Sequence, residues 1–277
     1  MSLSLATAPE CATAGVRASR LHGDPEAYVA ALPELGAVTL RAGSGAASLA
    51  VTTAFDEPLW CGRHLCLPGA GAELRVSPGR LGAAFVLAEG RTDRRREGLR
   101  FLDVSGEVGL AADLTPASER AALHRLAAGP PHAAAPGEVP GATAAGVTAE
   151  GTLAATVEPA LVSELLETVA DAAIPVRMVL PGPGLWLTAT TLLGNPVSRA
   201  ARIALHGAGV RLDIAGGALC RVEVRRVAAV DGLAHAVDLI DGRGRRILRL
   251  MGQGVPGRPE ERAWRTLVEG MLPAEAV

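Results

Sequence analysis

Two stretches of the chain repeat apolar residues at helical spacing, and each is followed by alternating strands in the same order. "DPEAYVAALPELG" from Asp24 and "ALVSELLETVADA" from Ala160 carry apolar positions three and four residues apart, which predicts a helix opening each half. Each leads into a short apolar strand and a Gly-x-Gly turn, Gly43-Ser44-Gly45 and Gly182-Pro183-Gly184, where a missing side chain permits the positive φ of a tight reversal. The register then persists. "ELRVSPGRLGAAFVL" aligns with "RLDIAGGALCRVEV", so that Leu74 matches Leu212 and Gly79 matches Gly217 within two alternating strands joined by a turn. "LRFLDVSGEVGL" aligns with "VDLIDGRGRRIL", matching Asp103 with Asp241 and Gly106 with Gly244 as hairpin turns at the same spacing. "SERAALHRLA" and "EERAWRTLVE" predict closing helices, the second with Trp264, Leu267, Val268 and Met271 on one stripe.

Five matches in one order imply a tandem duplication. Each repeat reads as a helix, a run of antiparallel strands and a closing helix, so the fold class is α+β. Residues 129–151, rich in Pro, Gly and Ala without periodicity, read as a linker between a first repeat at 1–128 and a second at 152–277. Two such units can pack as an internal pseudo-dimer whose shared groove suits a ligand.

Composition narrows the function classes. Hydrophobic residues make up 49% and charged residues 20%, as in ordinary globular proteins, and the net charge of -2 gives no field to attract nucleic acid. Every basic side chain other than histidine is arginine, suited to bidentate grip on carboxylate or phosphate. No stretch of 18 apolar residues predicts a membrane span, and the opening lacks the pattern of a secretory signal, so a cytoplasmic protein is expected. Four scattered cysteines make no disulfide framework. No nucleophile elbow, P-loop, dinucleotide fingerprint or His-Glu-x-x-His occurs.

The stretch "DGLAHAVDLIDGRGRRILRLMGQGVPGRPEERAWRTL" resembles the closing segment of the bacterial haemin-degrading, haem-utilisation family. The shared features are Asp231-Gly232, the Asp241 to Gly244 turn, Gly252-Gln253, Gly257 to Glu260 and Trp264-Arg265. "SRLHGDPEAYVAALPELGAV", "LRFLDVSGEV" and "TPASERAALHRL" are similar to that family's first repeat. The resemblance implies two large antiparallel sheets in tandem, each flanked by helices, and haem held in a cleft bordered by the second repeat. It implies haem or a related tetrapyrrole as ligand, oxidative haem degradation or haem carriage as activity, haem-uptake or reductase proteins as partners, and a homodimer as a candidate assembly. One haem-contacting arginine of the family carries over onto Arg75. The family's iron-ligating histidine lies in a helical segment before the second repeat's first helix, whereas here "EGTLAATVEPALVSELL" runs from the linker almost directly into that helix, with only His132 nearby. Where the family has a Tyr, an Arg and a Gln near the Gly-Gln, this chain has Met251, Gly254 and Arg249.

A haem site needs an iron ligand, apolar walls and basic groups for the propionates. His64, His206 and, weakly, Met251 are the candidate iron ligands. Arg75, Arg245 and Arg249 are the candidate anion-binding residues, the latter pair expected on one face of one strand. "WCGRHLC" offers Cys61, His64 and Cys66, too few for a closed zinc site; strand alternation would send Cys61 to the face opposite His64 and Cys66. The arginine-rich run from Arg91 reads as a solvated hairpin loop, and His22, His124 and His235 read as ordinary. Two rivals accompany the haem reading: a relative that keeps the scaffold but acts as a protein-interaction or regulatory module, and a small-anion binder in the groove between repeats.

Overall fold

The computed structural model describes residues 16–89, 96–131, 137–138, 150–194, 196–199, 202–229, 231–254 and 257–273. The first half runs β1 (Val16–Arg20), α1 (Pro25–Ala30), β2 (Gly36–Gly43), β3 (Ala47–Thr53), β4 (Leu59–Cys61), β5 (His64–Gly69), β6 (Ala72–Val76), β7 (Leu81–Glu89), β8 (Arg96–Asp103), β9 (Val108–Ser118) and α2 (Arg120–Ala128). A two-residue strand follows, β10 (Gly137–Glu138). The second half repeats the order as β11 (Thr152–Val157), α3 (Leu161–Asp171), β12 (Val176–Gly182), β13 (Leu185–Thr191), β14 (Val197–Arg199), β15 (Arg202–Gly207), β16 (Val210–Ala215), β17 (Leu219–Ala229), β18 (Gly232–Asp241), β19 (Arg246–Gly252) and α4 (Arg262–Glu269). The arginine-rich run at 91–95, His132 and most of the linker lie outside the described residues.

The strands form two sheets, of order β1-β7-β8-β9-β2-β3-β16-β15-β14 and β10-β4-β5-β6-β13-β12-β19-β18-β17-β11. The duplication is complete in this order, because each strand of one sheet has its counterpart ten strands away at the same place in the other. Apart from the short β10, each sheet draws six strands from one half and three from the other. The β4–β6 meander of the first half pairs with β13, and the β14–β16 meander of the second half pairs with β3. The halves are thus joined by backbone hydrogen bonding at two seams as well as by packing.

Period-two alternation sets which face is buried. Leu40, Leu49, Leu212, Leu110 and Phe101 of the nine-stranded sheet, and Leu74, Leu187, Leu180, Leu239 and Leu250 of the ten-stranded one, have no exposed surface and belong to one continuous core with residues of α1 to α4. Leu74 and Leu212, matched in sequence, occupy equivalent core positions.

The matched turns are also the same device. Asp103 Oδ1 accepts hydrogen bonds from Ser105 N at 2.8 Å and Glu107 N at 3.1 Å, and Asp241 Oδ1 accepts from Arg243 N and Arg245 N, both at 2.9 Å. Gly106 and Gly244 adopt φ of 87° and 75°, a region open to glycine without strain. Hydrogen bonds to the ionised form, from Ser105 for Asp103 and chiefly from the Arg245 backbone for Asp241, hold both carboxyls below the ordinary aspartate range.

The motif residues at the end of the chain clasp α4 to the sheet. Trp264 is fully buried and its Nε1 donates to the His235 carbonyl at 3.0 Å. Buried Glu260 accepts from His235 N at 2.6 Å, contacts His235 Nδ1 at 2.8 Å and accepts from Arg265 Nε at 2.8 Å. Burial opposes the Glu260 charge, but its bonds to His235 and Arg265 hold its pKa below the usual glutamate value. The indole lies against Gly252, where a Cβ would come within 2.6 Å of the ring.

Gly252→Ala should therefore destabilise the protein by about 1–3 kcal/mol through overpacking against Trp264. An unchanged urea midpoint would disprove the clasp. The two turn aspartates give a pH prediction. Their folded pKa values lie below the unfolded ones, so their contribution is present above the unfolded pKa of about 4 and is lost as pH falls through it toward the folded value. The double variant Asp103→Asn/Asp241→Asn should flatten the fall in melting temperature as the pH drops below the unfolded aspartate value of about 4.

Candidate functional site

The face of the ten-stranded sheet turned away from the core carries His64, Arg75, Arg249 and Met251 among the candidate residues. Cross-strand register places Cys66 beside Arg75, Arg75 beside Trp186 and Trp186 beside Pro181. The next row runs Glu73, Thr188, Val179, Arg249, Asp238 and Glu223. A third runs Thr190, Arg177, Met251, Ala236 and Arg225. The first two rows cross the β6–β13 seam, so their members come from both halves of the chain.

His64 stands at one end. Its Nδ1 lies 3.2 Å from Ser77 Oγ, and its ring meets Trp186 edge to face at 5.2 Å between centroids. Burial, followed by the charges of Arg63 and Arg75, lowers its pKa and keeps the imidazole neutral. In the tautomer whose Nδ1–H donates to Ser77, Nε2 presents its lone pair, the form that ligates metals.

The cysteines depart from expectation. A turn at Gly62, with φ of 63°, reverses the chain between β4 and β5, so Cys61 pairs directly with His64 and all three residues share one face. Alternation along a single strand had placed Cys61 on the opposite face, and the reversal removes that separation. Burial, with Cys61 alongside, pushes the Cys66 thiol up to about 12, so it stays protonated. Among the described residues no group of three or more His, Cys, Asp or Glu side chains is arranged to hold a metal ion.

Arg75 is buried in the row between Cys66 and Trp186. Its Nε donates to Glu73, and its Nη1 is enclosed without a hydrogen-bond partner. Burial works against its charge, but Glu73 more than offsets this and raises the pKa.

The other arginines require a correction. Arg245 and Arg249 do not share a strand face. Arg245 belongs to the turn before β19, where its side chain is 64% exposed and reaches back to Asp241 at 2.8 Å. Arg249 has no exposed surface and grips Asp238 through Nε at 2.7 Å and Nη2 at 2.8 Å. Arg246 at 3.3 Å and Arg225 at 3.5 Å complete the surroundings of Asp238. Arg221, Arg225, Asp238, Pro181 and Arg246 line a polar cavity of about 320 Å³. Met251 is buried with Val227, Ala234 and Ala236 in a small separate apolar cluster, where it fills space.

His206 also lies elsewhere. It is exposed on β15 of the nine-stranded sheet, opposite Arg211 on β16. That sheet bears a cavity of about 620 Å³ lined by Thr39, Arg41, Ser48, Thr52, Arg211 and Asp213. His64 and Arg75 are brought together; His206 is separated from them because the meander that carries it crosses to the other sheet.

No protein-family model and no curated protein sequence matches the chain. Solved structures do match. ChuS, a haem oxygenase of E. coli, has a TM-score of 0.79 at 19% identity, covering 92% of this chain and 89% of ChuS. Holo-PhuS, a haem-binding protein from Pseudomonas aeruginosa, has a TM-score of 0.77 at 19% identity, covering 92% of this chain and 86% of PhuS. The apo form of PhuS gives 0.76 at 18% identity over the same shares.

The chain has the fold of ChuS and PhuS. At this identity the likeness concerns architecture: two antiparallel sheets from a duplicated unit, few helices and exchanged meanders. Within the ChuS fold, the residues that sequence reasoning did not single out are Glu73, Ser77, Arg177, Trp186 and Thr188. A signal existed for Trp186, which stands two residues after Gly184 of the Gly182-Pro183-Gly184 turn at an outward position of "LWLTAT". Nothing in the sequence pairs it with Arg75, 111 positions away.

The two arginines differ in a measurable way. Arg249→Ala leaves Asp238 buried without its bidentate partner and should cost roughly 3 kcal/mol of stability, whereas Arg245→Ala, at an exposed pair, should cost under about 1 kcal/mol. Equal shifts of the two variants in chemical denaturation would contradict this assignment.

Proposed function

We propose that the chain binds haem at the seam face of the ten-stranded sheet and serves cytoplasmic haem utilisation, as a carrier or a haem-degrading factor. The observation that carries the reading is the placement of a neutral His64, the flat ring of Trp186 and the unpartnered Nη1 of buried Arg75 on one wall of a fold shared with a haem oxygenase and a haem-binding protein. These residues fit the group. His64 would hold the iron through Nε2 with Ser77 fixing the ring, Trp186 would form an apolar wall, and Arg75 would donate to a propionate. Bound haem supplies an iron centre able to activate oxygen, and the protein contributes orientation and anchoring.

A second reading has its own support. Arg245, Arg249 and Met251 are all engaged within the protein, as expected of a scaffold that has turned to protein interaction or regulation.

A haemin titration followed in the Soret region separates them. The haem reading expects a saturable, shifted band, with affinity lowered at least about tenfold in His64→Ala, equivalent to roughly 1.4 kcal/mol. Binding should fall on acidification as His64 protonates, and its lowered pKa places that fall at a lower pH than for a free imidazole. A featureless, unsaturable rise would reject haem and favour the second reading.

A further inference from the structure

The seam face holds two buried side-chain atoms without hydrogen-bond partners, Arg75 Nη1 and Thr188 Oγ1, and they are neighbours. Thr188 lies directly across the β6–β13 pairing from Glu73, two positions from the Arg75–Trp186 pair. On its other side β12 contributes Val179, with Arg177 two residues away on the same face. Glu73 is at the centre: its Oε1 accepts from Arg75 Nε and its Oε2 lies 3.6 Å from Arg177 Nη2.

Two guanidinium groups thus face one carboxylate, and two enclosed donors point at no acceptor. Donors buried in this state are costly, and charged ones more so, unless an acceptor arrives. Arg75 and Thr188 form the closed side of the cluster, while the side chains of Glu73 and Arg177 are 21% and 30% exposed and form the open side. The pKa of Arg177 is lowered by burial, with the charge of Glu73 opposing the shift and that of Arg75 adding to it.

We propose that Glu73 is an internal stand-in for a ligand carboxylate, and that Arg75, Arg177 and Thr188 form the seat taken by a porphyrin propionate when Glu73 gives way. The proposal rests on the haem reading and adds a recognition element to it: selection for the free carboxylate. The equivalent places on the nine-stranded sheet lack the seat. There Arg211 binds Asp213 bidentately through Nε at 2.8 Å and Nη2 at 3.1 Å, and Ala50 stands where Thr188 does.

The test titrates the full chain with haemin, with iron-free protoporphyrin IX and with haemin dimethyl ester, whose propionates are blocked. Soret absorbance and tryptophan fluorescence quenching are read together. The wild type should bind haemin at least about tenfold tighter than the ester. Thr188→Val and Arg177→Met should each close that gap, and Glu73→Gln, which removes the competing anion, should widen it. Protoporphyrin IX should respond to the three variants as haemin does, since the seat acts independently of iron. Thr188→Ser retains the hydroxyl and should keep the gap; its loss there, in protein with an unchanged circular dichroism spectrum, would overturn the proposal. Saturable binding of haemin and ester with equal strength would overturn the seat and leave the haem reading standing. Absence of saturable binding by all three porphyrins would overturn both.

Discussion

The pairing of β6 with β13 is the constraint on which the molecule depends. It is a ladder of backbone hydrogen bonds between segments from opposite halves of the chain, repeated by the β3–β16 pairing in the other sheet. Buried ladder groups must be paired, so neither half can complete its sheet without the other's meander. The exchange turns a duplicated sequence into one body with one core. It also creates the candidate site, because Arg75 and Glu73 arrive from one half and Trp186 and Thr188 from the other.

The outer face of the ten-stranded sheet buries an unusual amount of charge. Asp238, Glu223 and Arg249 are buried there, and the register sets each beside an opposite charge. Such pairs add little net stability over apolar packing but penalise any register in which one partner is left alone. A slip of one residue along β18 would turn Asp238 into the core. The network therefore acts on which pairing forms.

The two outer faces show how a duplicated scaffold diverges. At equivalent positions, 138 residues apart, the seam of one sheet carries Glu73, Arg75, Trp186 and Thr188, and the other carries Arg211, Asp213, Ser48 and Ala50. Charge order is inverted, and the aromatic wall and the hydroxyl are gone. The inner faces, where Leu74 and Leu212 sit, have not diverged in character, since core volume is constrained and outward positions are not. The shared motif around Gly252, Glu260 and Trp264 belongs to the constrained part as well. It fastens a helix, so its residues are held by packing in the way that the core leucines are.

Much of the fold was legible along the chain. The helices, the alternating strands, the Asp103 and Asp241 turns and the core leucines follow from spacing and local hydrogen bonding, which act over a few residues. Cys61 shows where that reasoning stopped: one glycine with positive φ reversed the strand and moved the residue to the other face. Arg245 and Arg249 failed for a related reason, since the turn ended one residue later than alternation alone suggests and a β-bulge shifted the register between Leu239 and Ile240. The sequence by itself determined that there are two equivalent units and which of their faces are apolar. Only the tertiary structure decided which meander joins which sheet, and hence that Arg75 meets Trp186 while His206 does not. Strand exchange is a choice among backbone pairings with nearly identical local patterns, settled by the packing of the whole core.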